Sequence, residues 1–518
     1  MSMQISFGNL NPALTPSDFE RAAVADRDTP LRVAILGDFS GRTDRIAPDS
    51  QRLSTQRFKL IDRDNFDEVL AGLDVGLKLS ASEDSGLTIP LRFAEFDDFH
   101  PDRLFERVAL FAELRVLRQK LLDPETFRAA AEAIQGWATE QDDDPYTEPP
   151  TTTTKAAPAS KDLLDAVLAE TEQQVGSGSA TGEPEFLRAL IKQVVAPYVI
   201  PAPDPRQPEL VKSVDAAASH QMRLLLHHAH FQRLESLWRG LNLLVRRLET
   251  GRSLKLELFD ITKSELRDAL TATEELDRTV LFKLLVEQTI QTPGAQPWGL
   301  LVADFTFDAT REDAELLGRV GKISAAAGAP FVAGADPHLV RCESLSESPD
   351  ADDWQRPVDQ DAELAWEALR ELPEANYICL GLPRFLLRLP YGEQTSSAEE
   401  FAFEEMESPP RHKHYLWGNP AFALAYLIAQ TFTQVGWELR VGTPDEIEGL
   451  PLHVYKADGE TCLQPCAEIG LTERSAEVIW DRGITPLWSV QGTDRVRVGP
   501  VRSLARASPA LRGRWRVP

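Results

Sequence analysis

The chain is poor in cysteine, and its apolar runs are short. Four cysteines in 518 residues are too few to hold a chain of this length together by disulfides. The most apolar stretch, residues 421–437, is interrupted by polar residues before it reaches the roughly 20 apolar residues of a membrane span. The first residues, "MSMQISFGNLNP", lack the charged start and apolar core of a signal peptide. We therefore expect a cytoplasmic protein with no membrane insertion.

Positive charge is scarce as well. Lys plus Arg number 55 against 81 for Asp plus Glu, which gives a formal net charge of -26. A field of this sign disfavours binding to phosphate backbones and to anionic lipid. We expect no nucleic-acid partner.

Apolar periodicity predicts an α/β protein with two α/β domains. Composition changes at a stretch rich in Pro, Thr and charge, which is typical of a linker. We expect an α/β domain over 1–139, a linker over 140–160, an amphipathic helix and a Pro-rich segment over 161–209, and a second α/β domain over 210–518. Residues 421–437 are interpreted as a buried helix, with Asn419 as N-cap and Pro420 at its first position.

Two further patterns in the first domain concern its contacts. A helix is predicted from Pro101, and its apolar residues form one continuous stripe that is too long for a small sheet to cover alone. We expect this stripe to contact the second domain. Its members are Leu104, Val108, Phe111, Leu114, Leu117 and Leu121.

The stretch "LRVAILGDFSGR" (31–42) predicts a buried strand followed by a glycine-bearing turn, which is how many nucleotide sites begin. The turn has neither the Gly-Lys-Ser/Thr ending of a phosphate loop nor three glycines at dinucleotide spacing. The ordinary interpretation, a strand that ends in a turn, is favoured, and nucleotide binding is a remote alternative.

Other polar clusters do not form a catalytic or metal-binding set. His227 and His228 point about 100° apart on a helix, and Cys462 and Cys466 have no second pair of ligands. Glu404 and Glu405 have no neighbouring base or nucleophile in the sequence and are interpreted as a solvated loop. We expect no enzymatic activity, no cofactor and no metal site.

Long collinear stretches carry a family resemblance. The stretches of the first domain are "LRVAILGDFSGR", "RFKLIDRDNFDEVLA" and "LRFAEFDDFHPDRLFERVALFAELRVLRQKL". Those of the second include "LHHAHFQRLESLWRGLNLLV", "PWGLLVADFTFD", "AAAGAPFVAGADP" and "LWGNPAFALAYLIAQTFTQVGWELR". With these stretches the first domain resembles the small sheath subunit of the bacterial type VI secretion system (TssB, also called VipA), and the second resembles the large subunit (TssC, or VipB).

The resemblance implies a mechanical role. In the family the two subunits pair, stack helically around an inner tube and shorten to drive that tube outward, and here both partners form one polypeptide. The resemblance therefore implies that the two α/β domains pack together. The implied partners are other copies or sheath subunits, the inner tube protein and baseplate components. The family's large subunit continues beyond the matched segment, so we expect the usual C-terminal part to be missing. An accessory of the same ancestry that caps, nucleates or scaffolds assembly therefore stays open as the alternative.

The resemblance also assigns roles to two short segments. Leu163, Leu164, Val167 and Leu168 form a narrow apolar face on a predicted helix. In related large subunits such a helix is bound by the AAA+ unfoldase that recycles sheaths (ClpV), and docking on its own domain is the alternative. Near the N-terminus, Gln4, Ile5, Ser6 and Phe7 alternate as in a strand with one buried side, and the family implies that they join a sheet between protomers.

Overall fold

The computed structural model describes residues 5–11, 25, 28–43, 50–80, 88–123, 126–142, 207–292, 294–441, 445–507 and 510–515. Two compact units are present, and each is described by itself. The first comprises Met1–Val75, Arg233–Leu389 and Tyr415–Pro518, and the second comprises Gly76–Gln232 and Pro390–His414. Each unit combines residues from before the predicted linker with residues from after it. The α/β class is confirmed, whereas the boundaries predicted along the sequence stay a prediction.

The strands of the chain are listed in sequence order. They are β1 (Leu31–Gly37), β2 (Lys59–Ile61), β3 (Val75–Ser80), β4 (Thr88–Phe93), β5 (Leu254–Asp260), β6 (Leu300–Phe307), β7 (Phe331–Ala335), β8 (Ile378–Leu382), β9 (Phe385–Leu386), β10 (Trp417–Gly418), β11 (Asp445–Ile447), β12 (His453–Ala457), β13 (Glu460–Gln464), β14 (Thr485–Ser489) and β15 (Val496–Val498).

The helices follow in the same way. They are α1 (Ser50–Thr55), α2 (Phe66–Ala71), α3 (Pro101–Arg107), α4 (Ala109–Leu122), α5 (Phe127–Asp142), α6 (Gln207–Leu226), α7 (Ala229–Arg247), α8 (Lys263–Thr271), α9 (Val280–Phe282, continued by a π-helix over Lys283–Gln291), α10 (Arg311–Ala327), α11 (Gln360–Glu371), α12 (Pro420–Val435) and α13 (Glu473–Asp481). None of the described helices is long and apolar enough to cross a membrane.

The first unit is built on one large sheet, whose described strands run in the order β11-β15-β14-β8-β7-β6-β1-β5-β2. The six strands from β14 to β5 are parallel to their neighbours. The outer strands β11, β15 and β2 pair antiparallel. Strands of a parallel sheet are apolar along their length, because both faces of the sheet are covered. The buried, mainly apolar residues of β1, β7 and β8 agree with this rule.

Helices cover both faces of this sheet. Helix α12 contacts β6, β7 and β8, and α10 contacts β7 and β8. Gly381 of β8 lies against Pro420 of α12, whereas Ile378 lies against Gly321 of α10. Residues three apart on a strand point to opposite faces, so the two helices lie on opposite sides.

Helix α12 begins as the sequence predicts. Pro420 is its first residue, and the Asn419 side chain accepts a hydrogen bond from the Ala421 N–H at 2.9 Å. The amide of Asn419 also donates to the carbonyl of Phe305 in β6. The cap therefore ties the start of the buried helix to the sheet beneath it.

The second unit contains β4, its partner β3 from Gly76 onward, and a group of helices, among them α3 to α6. The prediction of one continuous helix from Pro101 is wrong. Val108 adopts an extended backbone (φ -78°, ψ 127°), which ends α3 and begins α4. All six apolar residues of the predicted stripe are nevertheless buried. Their spacing does not distinguish one helix from two whose apolar faces meet, and neither Pro nor Gly marks the break.

We predict that Leu114→Ala lowers the stability of the second unit. Leu114 lies on α4 with 0 % exposure, and removal of a buried leucine side chain costs about 2–5 kcal/mol. The matched control is Val116→Ala on the same helix, where the side chain is 49 % exposed and the cost is within about 0.5 kcal/mol. Chemical denaturation of the full chain measures both. Equal midpoints for the two variants would contradict the burial of this face.

Candidate functional site: the junction of the first and second regions

The first region is defined here as the residues before 140, and the second region as those from 210 onward. Strand β1 of the first region lies between β5 and β6 of the second. It pairs with β5 along its whole length, from Leu31 opposite Leu254 to Gly37 opposite Asp260. On its other side Val33 to Leu36 pair with β6. The backbone ladder of the sheet is therefore continuous only when both regions are present.

The turn after β1 does bind an anion, and that anion is a carboxylate of the same chain. The N–H and the hydroxyl of Ser40 donate to the two carboxylate oxygens of Asp260, at 3.0 and 2.8 Å. Asp260 is the last residue of β5, beside the turn in the sheet. The place where a nucleotide phosphate would lie is thus taken by the second region.

Two arginines of the first region complete the contact with Asp260. Arg42 Nη1 lies 3.0 Å and Arg52 Nη2 lies 2.6 Å from its Oδ2 atom. Arg42 also binds Glu265 Oε2 at 2.6 Å. The Asp260 side chain has 0 % exposure, and those of Arg42 and Glu265 are at or below 5 %. The buried Arg42 and the partly exposed Arg52 thus compensate the charges of two buried carboxylates.

Burial and hydrogen bonding act in opposite directions on these carboxyl groups. Burial raises the pKa of Asp260 above its ordinary value, and the hydrogen bonds from Arg52 and Ser40 oppose that shift. Burial also raises the pKa of Glu265, which accepts hydrogen bonds from Arg42 and from the Thr262 N–H. The arginines and the Ser40 hydroxyl of the first region replace water around these carboxyl groups.

Aromatic packing supports the same junction. Trp238 of α7 is fully buried, and its indole N–H donates to the carbonyl of Phe39 at 3.0 Å. Its ring meets Phe39 and Phe66 edge-on, at centroid distances of 5.4 and 5.5 Å. One side chain of the second region thus joins two elements of the first, the turn after β1 and the start of α2.

A second contact between the regions lies within the second unit. Helix α4, which carries four of the six residues of the predicted contact stripe, packs against α6 of the second region. Arg118 Nε lies 2.7 Å from Asp215 Oδ1 across this helix pair. Phe105 of α3 stacks on Phe401 with ring centroids 4.4 Å apart. The structure therefore places the stripe beside the second region, and its role as an interface stays a prediction.

The N-terminal segment lies against the second region of its own chain. Ile5 and Phe7 pack on the core of the first unit. Ser6 Oγ donates to Glu274 Oε2 at 2.5 Å, and the Ser6 N–H donates to Glu315. The three residues form no strand in the structure.

Only one backbone bridge is formed along the described part of this segment. Asn9 bridges to Glu275 and exchanges hydrogen bonds with Glu274 and Leu276. Gln4 lies outside the described residues, as do Leu163, Leu164, Val167 and Leu168 of the predicted amphipathic helix and the 140–160 linker beyond Asp142.

The interpretation of Glu405 as part of a solvated loop is wrong. Its side chain is 1 % exposed and accepts a hydrogen bond from the Tyr391 N–H at 2.7 Å. His227 lies 3.7 Å from it and stacks on His414 at 3.9 Å between ring centroids. Burial and the charge of His227 lower the pKa of His414 to about 4. Partners far apart in the sequence make these contacts, so no local pattern marks them.

The residues of the junction were also missed from the sequence. Arg42 is part of the turn that was compared with phosphate loops, but nothing in that turn points to Asp260, 218 positions away. One signal was available, because Asp260 ends an apolar strand and a buried charge there needs a partner. The geometry is that of a structural interface, made of a backbone ladder, a compensated ion cluster and aromatic packing.

Comparison with known proteins agrees with a structural α/β protein of this kind. The family described as "EvpB/VC_A0108, tail sheath N-terminal domain" (VipB) matches residues 208–504. The family described as "Type VI secretion system, VipA, VC_A0107 or Hcp2" matches residues 20–133. The chain therefore belongs to the tail sheath family of type VI secretion, and it carries regions of both the VipA and the VipB kind.

A curated relative is similar to the second region. The chain is 38% identical over 291 residues to the "Type VI secretion system sheath protein TssC1" of Pseudomonas aeruginosa. The match covers 55% of this chain and 58% of the relative. The chain thus spans less than two thirds of the relative's length.

We predict that Asp260→Ala destabilises the junction by about 3–5 kcal/mol, because it leaves two arginines without their shared carboxylate. Glu448→Gln is the matched control. Its partner Arg495 and its own side chain are 44% and 63% exposed, and such surface pairs contribute at most about 1 kcal/mol. Thermal and chemical unfolding of the full chain give the comparison. A loss no larger than that of the control would show that the cluster does not stabilise the fold.

Proposed function

We propose that this chain is a fused sheath protomer of a type VI secretion system, in which the small and large subunits form one polypeptide. The observation that carries the proposal is the position of β1 between β5 and β6, in a chain that matches the VipA and VipB families in turn. Each region supplies groups that the other needs, as the partners of an obligate pair do. Both family matches favour this role over that of an accessory that caps, nucleates or scaffolds assembly.

The proposed role is structural and cytoplasmic. Copies of the chain, or of other sheath subunits, assemble helically around an inner tube protein on a baseplate. Fusion fixes the ratio of the two regions at one to one and raises the effective concentration of one for the other into roughly the millimolar range. The ion cluster and the aromatic packing then hold the two regions together while forces act on the protomer.

The N-terminal segment is proposed to exchange partners during assembly. In the single chain, Ile5 and Phe7 cover the core, and the backbone of Asn9 is bound to Glu274 and Leu276. Each of these backbone hydrogen bonds contributes only about 1 kcal/mol net, so a neighbouring protomer that offers a longer sheet edge can displace them.

Electron microscopy of the purified chain tests the role and the segment together. We expect helical tubes from the unaltered protein. Ser6→Pro removes a backbone donor and should prevent tube formation, while Ser6→Ala keeps that donor and should permit it. As a control, unfolding midpoints are measured to check that the monomers of both variants stay folded. Single particles or closed rings from the unaltered protein would overturn the sheath role, and tubes from Ser6→Pro would overturn the role of the segment.

The predicted amphipathic helix is proposed to bind a ClpV-like AAA+ unfoldase. Its apolar face consists of only four residues, and a face this narrow suits a groove in a partner. Leu164→Ser combined with Val167→Ser should abolish binding to the unfoldase and leave the unfolding midpoint unchanged. Asp165→Asn, on the polar face, should bind normally. A clear fall in the midpoint of the double variant would show instead that the helix is docked as core.

A further inference from the structure

Two aspartates and a histidine meet at the carboxyl ends of β6 and β7 in the large sheet. Asp308 directly follows β6, and Asp336 directly follows β7. His338 lies two residues farther, in the short 3-10 helix Pro337–Val340. Strands β6 and β7 are parallel neighbours, so their carboxyl ends bring the three side chains together.

Their polar atoms converge. His338 Nδ1 lies 2.8 Å from Asp308 Oδ1 and 3.1 Å from Asp336 Oδ1. One ligand atom from each residue can be chosen so that all three lie within 4.8 Å of one another. This spacing fits three ligands around one metal ion.

The backbone holds these ligands rigidly. The Asp336 N–H donates to the Phe307 carbonyl at 2.9 Å, which joins the ends of the two strands. Asp336 Oδ1 accepts a hydrogen bond from the His338 N–H at 3.0 Å. The Asp308 N–H donates to Asp313 Oδ2 at 2.7 Å. Ligands placed on strand ends in this way need little rearrangement to bind an ion.

An outer carboxylate faces the far side of the imidazole. Glu343 Oε1 lies 3.9 Å from His338 Nε2, and the other Glu343 oxygen accepts from Arg356 Nε at 2.7 Å. Histidines that bind metal usually direct their second ring N–H at a carboxylate or carbonyl, which fixes the tautomer. At 3.9 Å the Glu343 carboxylate lies beyond hydrogen-bond distance of Nε2, and a small shift of this 74% exposed side chain would bring it within reach.

Room for solvent adjoins the cluster. Asp308 and His338 form part of the wall of a cavity of about 520 Å³. A site with three protein ligands leaves positions for water, and this cavity supplies them.

We propose that Asp308, Asp336 and His338 form a binding site for a divalent transition-metal ion of the Zn²⁺ kind, with water completing the coordination. Two carboxylates match the charge of a dication, and an imidazole ligand favours Zn²⁺ and its neighbours over Mg²⁺ or Ca²⁺. The ion would join the ends of β6 and β7 and so stiffen this edge of the sheet. The proposal does not depend on the role of the chain in a sheath.

Calorimetric titration of the full chain with ZnCl₂, after removal of metal by a chelator, tests the site. We expect one tight equivalent, and with Co²⁺ the visible absorption bands of a low-symmetry site. His338→Gln and Asp308→Asn should each weaken this binding at least roughly 100-fold, and Glu343→Gln should weaken it about tenfold. His228→Gln and His100→Gln remove imidazoles elsewhere and should bind as the unaltered chain does.

Two results would overturn the proposal. One is the lack of a tight equivalent in the unaltered chain. The other is equal affinity in the unaltered chain and in His338→Gln, especially if His228→Gln lowers it, because the ion would then be held by the histidines near residue 228. Unfolding midpoints verify that each variant is folded. If Asp308→Asn does not fold, His338→Gln and Glu343→Gln decide the matter.

Discussion

The carboxylate of Asp260 is the constraint on which the rest of the first unit depends. It ends β5 with no exposure to solvent and receives four hydrogen bonds, from Ser40, Arg42 and Arg52, all supplied by the first region. Without them a charge would be buried unpaired, at a cost of several kcal/mol. The second region therefore cannot bury Asp260 without this cost in free energy unless the first region is in place. The position of β1 beside β5 meets this need, because it places the turn that carries Ser40 and Arg42 next to Asp260.

Fusion of the two regions changes the physical problem of pairing. For separate subunits, burial of Arg42 and Asp260 would be coupled to association, whose entropic cost depends on concentration. In one polypeptide that cost is reduced, because the two regions are held near each other at all times. The contact of α4 with α6 adds a second attachment within the second unit, with its own ion pair between Arg118 and Asp215. Pairing in this chain is thus part of folding.

Much of the fold could be predicted from periodicity, and the site could not. The strand at 31–37, the strand within 57–62 and the capped helix after Asn419 have local signals, and all three occur in the structure. The break at Val108 has none, because an apolar stripe continues across it. Residues at the junction are paired over about two hundred positions, so propensity, capping and turn chemistry do not specify their partners. Glu405 shows the same limit, since the sequence marks a charge as polar but not as buried.

One regularity of the parallel sheet connects the junction with the proposed metal site. Strands β1, β5, β6 and β7 each end at or just before an aspartate, at positions 38, 260, 308 and 336. Parallel strands place these carboxylates along a single edge, where their mutual repulsion must be compensated.

Asp38 accepts hydrogen bonds from the backbone of Arg42 and Thr43, and Asp260 binds the arginines of the first region. His338 lies beside both Asp308 and Asp336, and its imidazole can hold a metal ion between them. The carboxyl ends of these strands therefore join the two regions at β1 and β5, and they are suited to hold a cation at β6 and β7.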